Sequence, residues 1–215
     1  MRVPVPPRAA VAIALAVLLA PLLAPLLASC SLTRPPVERA TYVLAPVRAG
    51  SPASPTQPVA LRVKAFRAAA PYDGREFLYR RSDGQLVADF YNGFPAGPGE
   101  LLTAATTEWL KSSGLFRAVL EPGISVDAPY ALEGSVLALY ADLGDGKRPA
   151  AVLDVQVYLV RSMSAGRELA LDRRFTERVD AADAGPTALA RAYNEALARV
   201  LTRLERELAA LDLRG

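Results

Sequence analysis

The residues able to do chemistry in this chain are few, and most can be followed to a dead end on spacing alone. Among 215 residues there is one cysteine, Cys30, and no histidine. Without an imidazole there is no Ser-His-Asp triad and no histidine metal ligand, and a lone thiol makes neither an intramolecular disulfide nor a multi-thiolate zinc site. Ser112 and Ser113 stand next to Lys111, but neighbours on a helix point apart, so a serine–lysine pair does not form there. Asp142-Leu143-Gly144-Asp145-Gly146 superficially resembles a calcium loop. Counted from Asp142, however, Gly144 and Gly146 fall at the third and fifth places and Leu153 at the twelfth, where oxygen ligands are needed; the segment reads as a hairpin turn. Gly93, Gly97 and Gly99 have neither dinucleotide nor Walker spacing. Asp180, Asp183, Glu205 and Glu207 read as solvated charges. The chain is therefore expected to hold no catalytic site, metal or cofactor.

The thiol of Cys30 is different, because of what precedes it. Arg2 and Arg8 are followed by Ala9–Ala28, apolar apart from Pro21 and Pro25, and the stretch closes on Leu27-Ala28-Ser29: the order of a secretory signal. About 20 apolar residues could also span a bilayer, an alternative that two prolines weaken without removing. Leu27-Ala28-Ser29-Cys30 resembles the bacterial lipobox, in which the cysteine is acylated and becomes the first residue of the mature protein. The expectation is a signal peptide over residues 1–29 and a tether over 30–39, where Ser31 to Pro36 is mostly polar and ends in two prolines. Each buried methylene adds ~0.8 kcal/mol, so several acyl chains anchor far more firmly than one. The formal charge of +3 is mostly leader: without Arg2 and Arg8, 23 of the 25 basic residues face 22 acidic ones. No clustered basic footprint remains to suggest a nucleic-acid partner.

Hydrophobic periodicity places the rest in one domain, residues 40–212. Tyr42-Val43-Leu44 is a brief apolar run, and Arg48 to Pro58 reads as a loop. Val59, Leu61, Val63 and Ala65 alternate with Ala60, Arg62, Lys64 and Phe66 as a strand with one buried face, and Glu76–Arg80 and Gln85–Tyr91 flank Ser82-Asp83-Gly84 as a hairpin. From Glu100 to Ser113 the period becomes helical, with Leu101, Leu102, Ala105, Trp109 and Leu110 on one side, Trp109 read as core, and Gly114 as the cap. Leu115–Leu120 is a short strand. Tyr130–Ala141, Ala151–Arg161 and Arg167–Val179 make a meander, and the apolar parity of its first strand shifts near Ser135–Leu137, which reads as a bulge. The closing helix carries Leu189, Tyr193, Ala196, Leu197, Val200, Leu204, Leu208 and Leu211 in one stripe. About seven strands and two helices give an α+β fold: a mostly antiparallel mixed sheet with both helices on its apolar face. Arg80-Arg81 and Arg173-Arg174 could meet an acidic partner or a lipid head group, the commoner use of such pairs being to defend a strand edge.

The lipobox, then Tyr42-Val43-Leu44, Phe77-Leu78-Tyr79-Arg80, Tyr91, Pro98 with Leu101-Leu102, and Leu110-Lys111-Ser112-Ser113-Gly114-Leu115-Phe116-Arg117-Ala118-Val119 together resemble the ABC-type transport auxiliary lipoproteins (PqiC-like). Phe94 departs from the tryptophan that many relatives carry. The resemblance implies a fold similar to the TolB N-terminal domain. It implies a non-enzymatic lipoprotein of the outer membrane's periplasmic face that works with an MCE-domain protein and an ABC transporter in lipid transport between membranes. A docking adaptor of this kind could also assemble into a homo-oligomeric ring through its solvent-facing strands. The reading kept beside it is a lipid-carrying or small hydrolytic periplasmic lipoprotein.

The anchor has a direct test. Cys30→Ala should leave an unprocessed precursor held at the inner membrane, while Ser31→Asp, which alters the residue after the acylated cysteine, should change the membrane fraction without changing processing. A mature Cys30→Ala protein still attached to the outer membrane would overturn the lipid anchor.

Overall fold

The computed structural model describes residues 38–52, 56–144 and 148–213. The signal peptide, Leu27, Ala28, Ser29 and Cys30 lie outside them. Residues Arg39–Gly215 form one compact unit. Its strands are β1 (Ala40–Thr41), β2 (Gln57–Val63), β3 (Arg67–Ala68), β4 (Glu76–Arg80), β5 (Leu86–Gly93), β6 (Phe116–Leu120), β7 (Tyr130–Asp142), β8 (Ala150–Met163) and β9 (Gly166–Asp180). Its helices are α1 (Pro98–Ser113) and α2 (Pro186–Ala209).

The sheet is organised by β7. One edge of β7 is taken along its whole length by β8, antiparallel, from Tyr130↔Arg161 to Asp142↔Ala150. The other edge is shared by three short parallel partners in succession: β2 at Tyr130–Leu132, β3 at Ser135–Val136 and β4 at Ala141–Asp142. β9 extends the meander beyond β8, β5 hairpins onto β4, and β6 and β1 pair in parallel with β2 and β5. The sheet is thus mixed: the long strands β7, β8 and β9 pair with one another antiparallel, and every parallel pairing involves a shorter strand. The parity shift in β7 is a bulge: register slips between Val136 and Ala138, so Tyr130, Leu132 and Val136 face inward before it and Leu139 and Ala141 after it. An unbulged strand would have turned half of its apolar side chains to water.

Both helices start on a glycine followed by proline, Gly97-Pro98 and Gly185-Pro186, where the fixed φ of proline suits the first turn and its missing N–H costs nothing. α1 stops at Gly114, which takes the left-handed conformation at φ 68°. α2 buries the expected stripe of Leu189, Tyr193, Ala196, Leu197, Val200, Leu204 and Leu208, with Leu201 added. Each such leucine contributes ~1.5–3 kcal/mol by leaving water, and the stripe is laid over β8 and β9. Beside it Tyr193, Phe77 and Phe94 pack edge to face or tilted, with centroids 4.7–5.8 Å apart.

Three details differ from the expectation, each for a traceable reason. The loop after Arg48 ends before Gln57, because Pro58 is accommodated in β2 at a slip of register against β6 between Gln57 and Ala60. α2 ends at Ala209 rather than near Leu211. The buried Gln57 side chain donates from Nε2 to the carbonyls of Leu208 and Leu211 and accepts at Oε1 from the Leu213 N–H, closing a helix end that has no glycine cap. β1 and β3, two residues each, had no periodicity to reveal them.

At one point the layers approach more closely than a side chain allows. A Cβ on Gly134 of β7 would sit 2.4 Å from the ring of Phe66, and one on Gly99 of α1 would sit 2.5 Å from the Phe66 carbonyl oxygen. Thr103 Oγ1 accepts from the Phe66 N–H at 2.8 Å and donates to the Gly99 carbonyl at 2.7 Å, tying the β2–β3 connection to α1. Gly134→Ala should therefore cost about 1–3 kcal/mol of overpacking, measured as a lowered urea midpoint. Phe66→Leu in the same chain should recover part of the loss, and strictly additive effects would show that the ring is not what Gly134 makes room for.

Candidate functional site

Strand alternation and register set what the uncovered sheet face displays. β7 contributes Glu133, Ser135, Tyr140 and Asp142, β8 Asp154, Gln156 and Tyr158, and β9 Asp172, Arg174, Thr176 and Arg178. The charges are largely spent on one another. Arg174 holds Asp154 with three donor–acceptor contacts of 2.5–3.2 Å, and Thr176 adds a fourth at 3.3 Å. Asp142 accepts from Arg80 at 2.9 Å and from the Gly144 N–H at 3.1 Å, with Arg178 3.8 Å away. Burial raises the Asp142 pKa, but those bonds and the two guanidiniums outweigh it and hold the carboxyl below its ordinary range. Lys64 and Glu133 pair at 2.6 Å beside a shallow depression of about 290 Å³ that Arg67, Ser135 and Tyr158 also line.

The two arginine pairs are split by this geometry. Arg80 lies on β4, an interior strand between β5 and β7, with its guanidinium 4.8 Å from the Tyr140 ring centroid, whereas Arg81 is exposed in the following turn. Arg173 and Arg174 do lie on the outer strand β9, but on opposite faces: Arg174 joins the uncovered face, and Arg173 reaches Glu207 of α2 at 3.3 Å. Only Arg80 and Arg174 therefore share a face. The Ser112 and Ser113 hydroxyls donate back to the Trp109 and Leu110 carbonyls within α1, and Lys111 pairs with Glu121, so neither serine meets the lysine. Among the described residues no group of three or more acidic or cysteine side chains is placed to hold a metal ion.

Two carboxylates that sequence reasoning passed over turn out to organise the chain's entry into the domain. Glu205 is not a solvated charge. Arg48 grips it in a fork, Nη2 to Oε1 at 2.7 Å and Nε to Oε2 at 2.9 Å, and the buried Trp109 donates Nε1–H to Oε2 at 2.7 Å. The Arg48 bond, with further help from Trp109, overcomes burial and holds the Glu205 carboxyl below its ordinary pKa. Asp89 is read as a strand residue but makes a wide bulge: pairing jumps from Leu78↔Ala88 to Glu76↔Gly93, leaving Asp89–Asn92 opposite Phe77 alone. Its Oδ1 accepts the N–H groups of Tyr91 at 2.8 Å and Asn92 at 3.1 Å; its Oδ2 accepts Tyr79 Oη at 2.7 Å and Asn92 Nδ2 at 2.9 Å. Burial pushes Asp89 up, yet those four bonds bring its pKa below normal, while burial and the same carboxylate push the Tyr79 phenol far up. The only clue in the sequence is the Asn92-Gly93 pair closing an otherwise regular strand.

The bulge turns Phe90 and Tyr91 outward, 62% and 51% exposed, with centroids 5.2 Å apart edge to face. The guanidinium of Arg39, the residue directly before β1, lies 4.3 Å from the Phe90 centroid. A cleft of about 190 Å³ opens between these residues, Arg75 and Glu76.

Comparison with known proteins agrees with this architecture. A family model described as the ABC-type transport auxiliary lipoprotein component matches residues 42–205. A DUF330 protein of Xanthomonas campestris superposes with a TM-score of 0.69 at 24% identity, covering 79% of this chain and 94% of its own. A second solved structure, of an uncharacterized protein, gives 0.61 at 17% identity, covering 80% and 99%. At these identities the likeness is one of fold. No curated protein matches the chain.

Because Glu205 titrates below its ordinary value of 4.5 when folded, its contribution is present in full above that value and is lost as pH falls through the folded pKa. Glu205→Gln should cost about 1–3 kcal/mol near neutral pH. The gap to the parent should narrow steadily between pH 5 and pH 3 in urea melts, and a gap independent of pH would mean that the carboxylate charge is not what Arg48 and Trp109 hold.

Proposed function

The chain belongs to the ABC-type transport auxiliary lipoprotein family, and we propose that it serves there as a non-enzymatic docking adaptor. In this reading Cys30 carries the lipid that holds the domain to the periplasmic face of the outer membrane. The domain engages an MCE-domain protein and, through it, the ABC transporter that moves lipid between membranes. One observation carries the reading: the sheet is asymmetric. Its inner face is filled by α1, α2 and a continuous cluster of buried side chains, while its outer face keeps the half-buried Tyr158 and Gln156 among paired charges. Such a face is well suited to another protein, since aromatic and amide groups supply contact area and the ordered charges supply register. The Lys64–Glu133–Tyr158 depression is its concave part.

Capture of the MCE-domain protein by the mature chain tests this. Lys64→Glu combined with Tyr158→Ala should weaken capture by about tenfold or more with the thermal midpoint nearly unchanged, as expected for substitutions on an exposed face. A chain that captures no such protein, and instead purifies with one equivalent of phospholipid, would replace the adaptor with a lipid carrier.

A further inference from the structure

We propose that Phe90, Tyr91 and Arg39 form a second, non-covalent membrane contact, by which the domain rests on the phospholipid surface that anchors it. The proposal builds on the lipid anchor at Cys30 and adds a site to it. Tether length supplies the first argument. Arg39 lies nine Cα-to-Cα steps beyond Cys30, and an extended chain spans at most about 3.3–3.6 Å per residue. Arg39 can therefore never be more than about 30 Å from the acylated cysteine, roughly the thickness of the hydrocarbon core itself. Phe90, in contact with Arg39, is bound by the same limit, and β1, pairing Ala40–Thr41 with Asn92–Gly93, fixes the entry point beside the bulge.

The second argument is the cost of the display. Two adjacent aromatic rings more than half exposed lose the burial that aromatic side chains ordinarily gain. The bulge that turns them out is four residues long, and the Asp89 carboxylate makes four hydrogen bonds that hold it. The chemistry also matches an interface rather than a protein pocket. A phenyl ring, a phenol and two guanidiniums, Arg39 and Arg75, stand together, combining apolar surface with donors for phosphate. This is the combination that settles at head-group depth.

The test uses the one native indole as its control, since Trp109 is buried. The lipidated mature chain carrying Phe90→Trp is reconstituted into vesicles of phosphatidylethanolamine and phosphatidylglycerol, with and without brominated acyl chains. The introduced indole should be quenched about twofold or more by bromine, as an aromatic group at the interface would be, while the unsubstituted chain changes little. Asp89→Asn, which weakens the clamp, should reduce the quenching. Retention in the vesicles with an unquenched indole overturns this proposal and leaves the anchor standing, as does an indole shielded only when an MCE-domain protein is added. A processed chain that carries no lipid and does not stay with vesicles overturns both.

Discussion

Everything in this domain depends on the two edges of β7 being used differently. One edge is occupied along its length by β8; the other must serve three short strands in turn, each arriving parallel. The three lie end to end along that edge, so the chain need not turn back between them; β2 and β3 are three residues apart, and the short link between them meets α1 at Phe66. Gly99 and Gly134 are small because Phe66 occupies the space between the layers there. The bulge at Leu137 then lets a single strand remain apolar inward along both halves. A regular strand in its place would break the contact with β4 or turn Leu139 and Ala141 to solvent.

The same constraint separates the two faces chemically. Helices fill one side with leucine, and the other is left to charges that satisfy one another. Exposed pairs of this kind are each worth about 0–1 kcal/mol, so they are weak as stabilisers. Their value is in order: Arg174, Asp154, Thr176, Arg80, Asp142 and Arg178 hold side chains in set positions on a surface otherwise free to vary.

The entry strap ties the N-terminal side of the domain to both layers. Tyr42 donates its N–H to the Gly93 carbonyl, Asn194 of α2 bonds Val43 and Ala45, and Arg48 closes on Glu205. Residues 42–48 therefore cross from the outer edge of the sheet to the back of α2 along a line of hydrogen bonds. Any pull along the chain from its N-terminal side is delivered to two secondary elements rather than one. The exposed aromatic bulge lies at the start of that line, which is why the position of Asp89 matters more than its role in a hairpin would suggest.

Periodicity and composition alone determined the types of the longer elements, the α1 cap, the bulge in β7 and the absence of imidazole chemistry. All of these rest on local causes: proline and glycine conformation, side-chain parity and residue count. The family, too, could be read from short local motifs. What the tertiary structure decided was where separate segments meet. Parallel pairing of β2, β3 and β4 leaves no mark on any one strand. Gln57 capping α2 across 151 residues of sequence, and Glu205 joining Arg48 to Trp109, depend on the layers being assembled first. Arg173 and Arg174 look like one basic patch in the sequence because they are adjacent. The strand sends adjacent side chains to opposite faces, and only the placement of α2 on one of those faces gave the two arginines different partners.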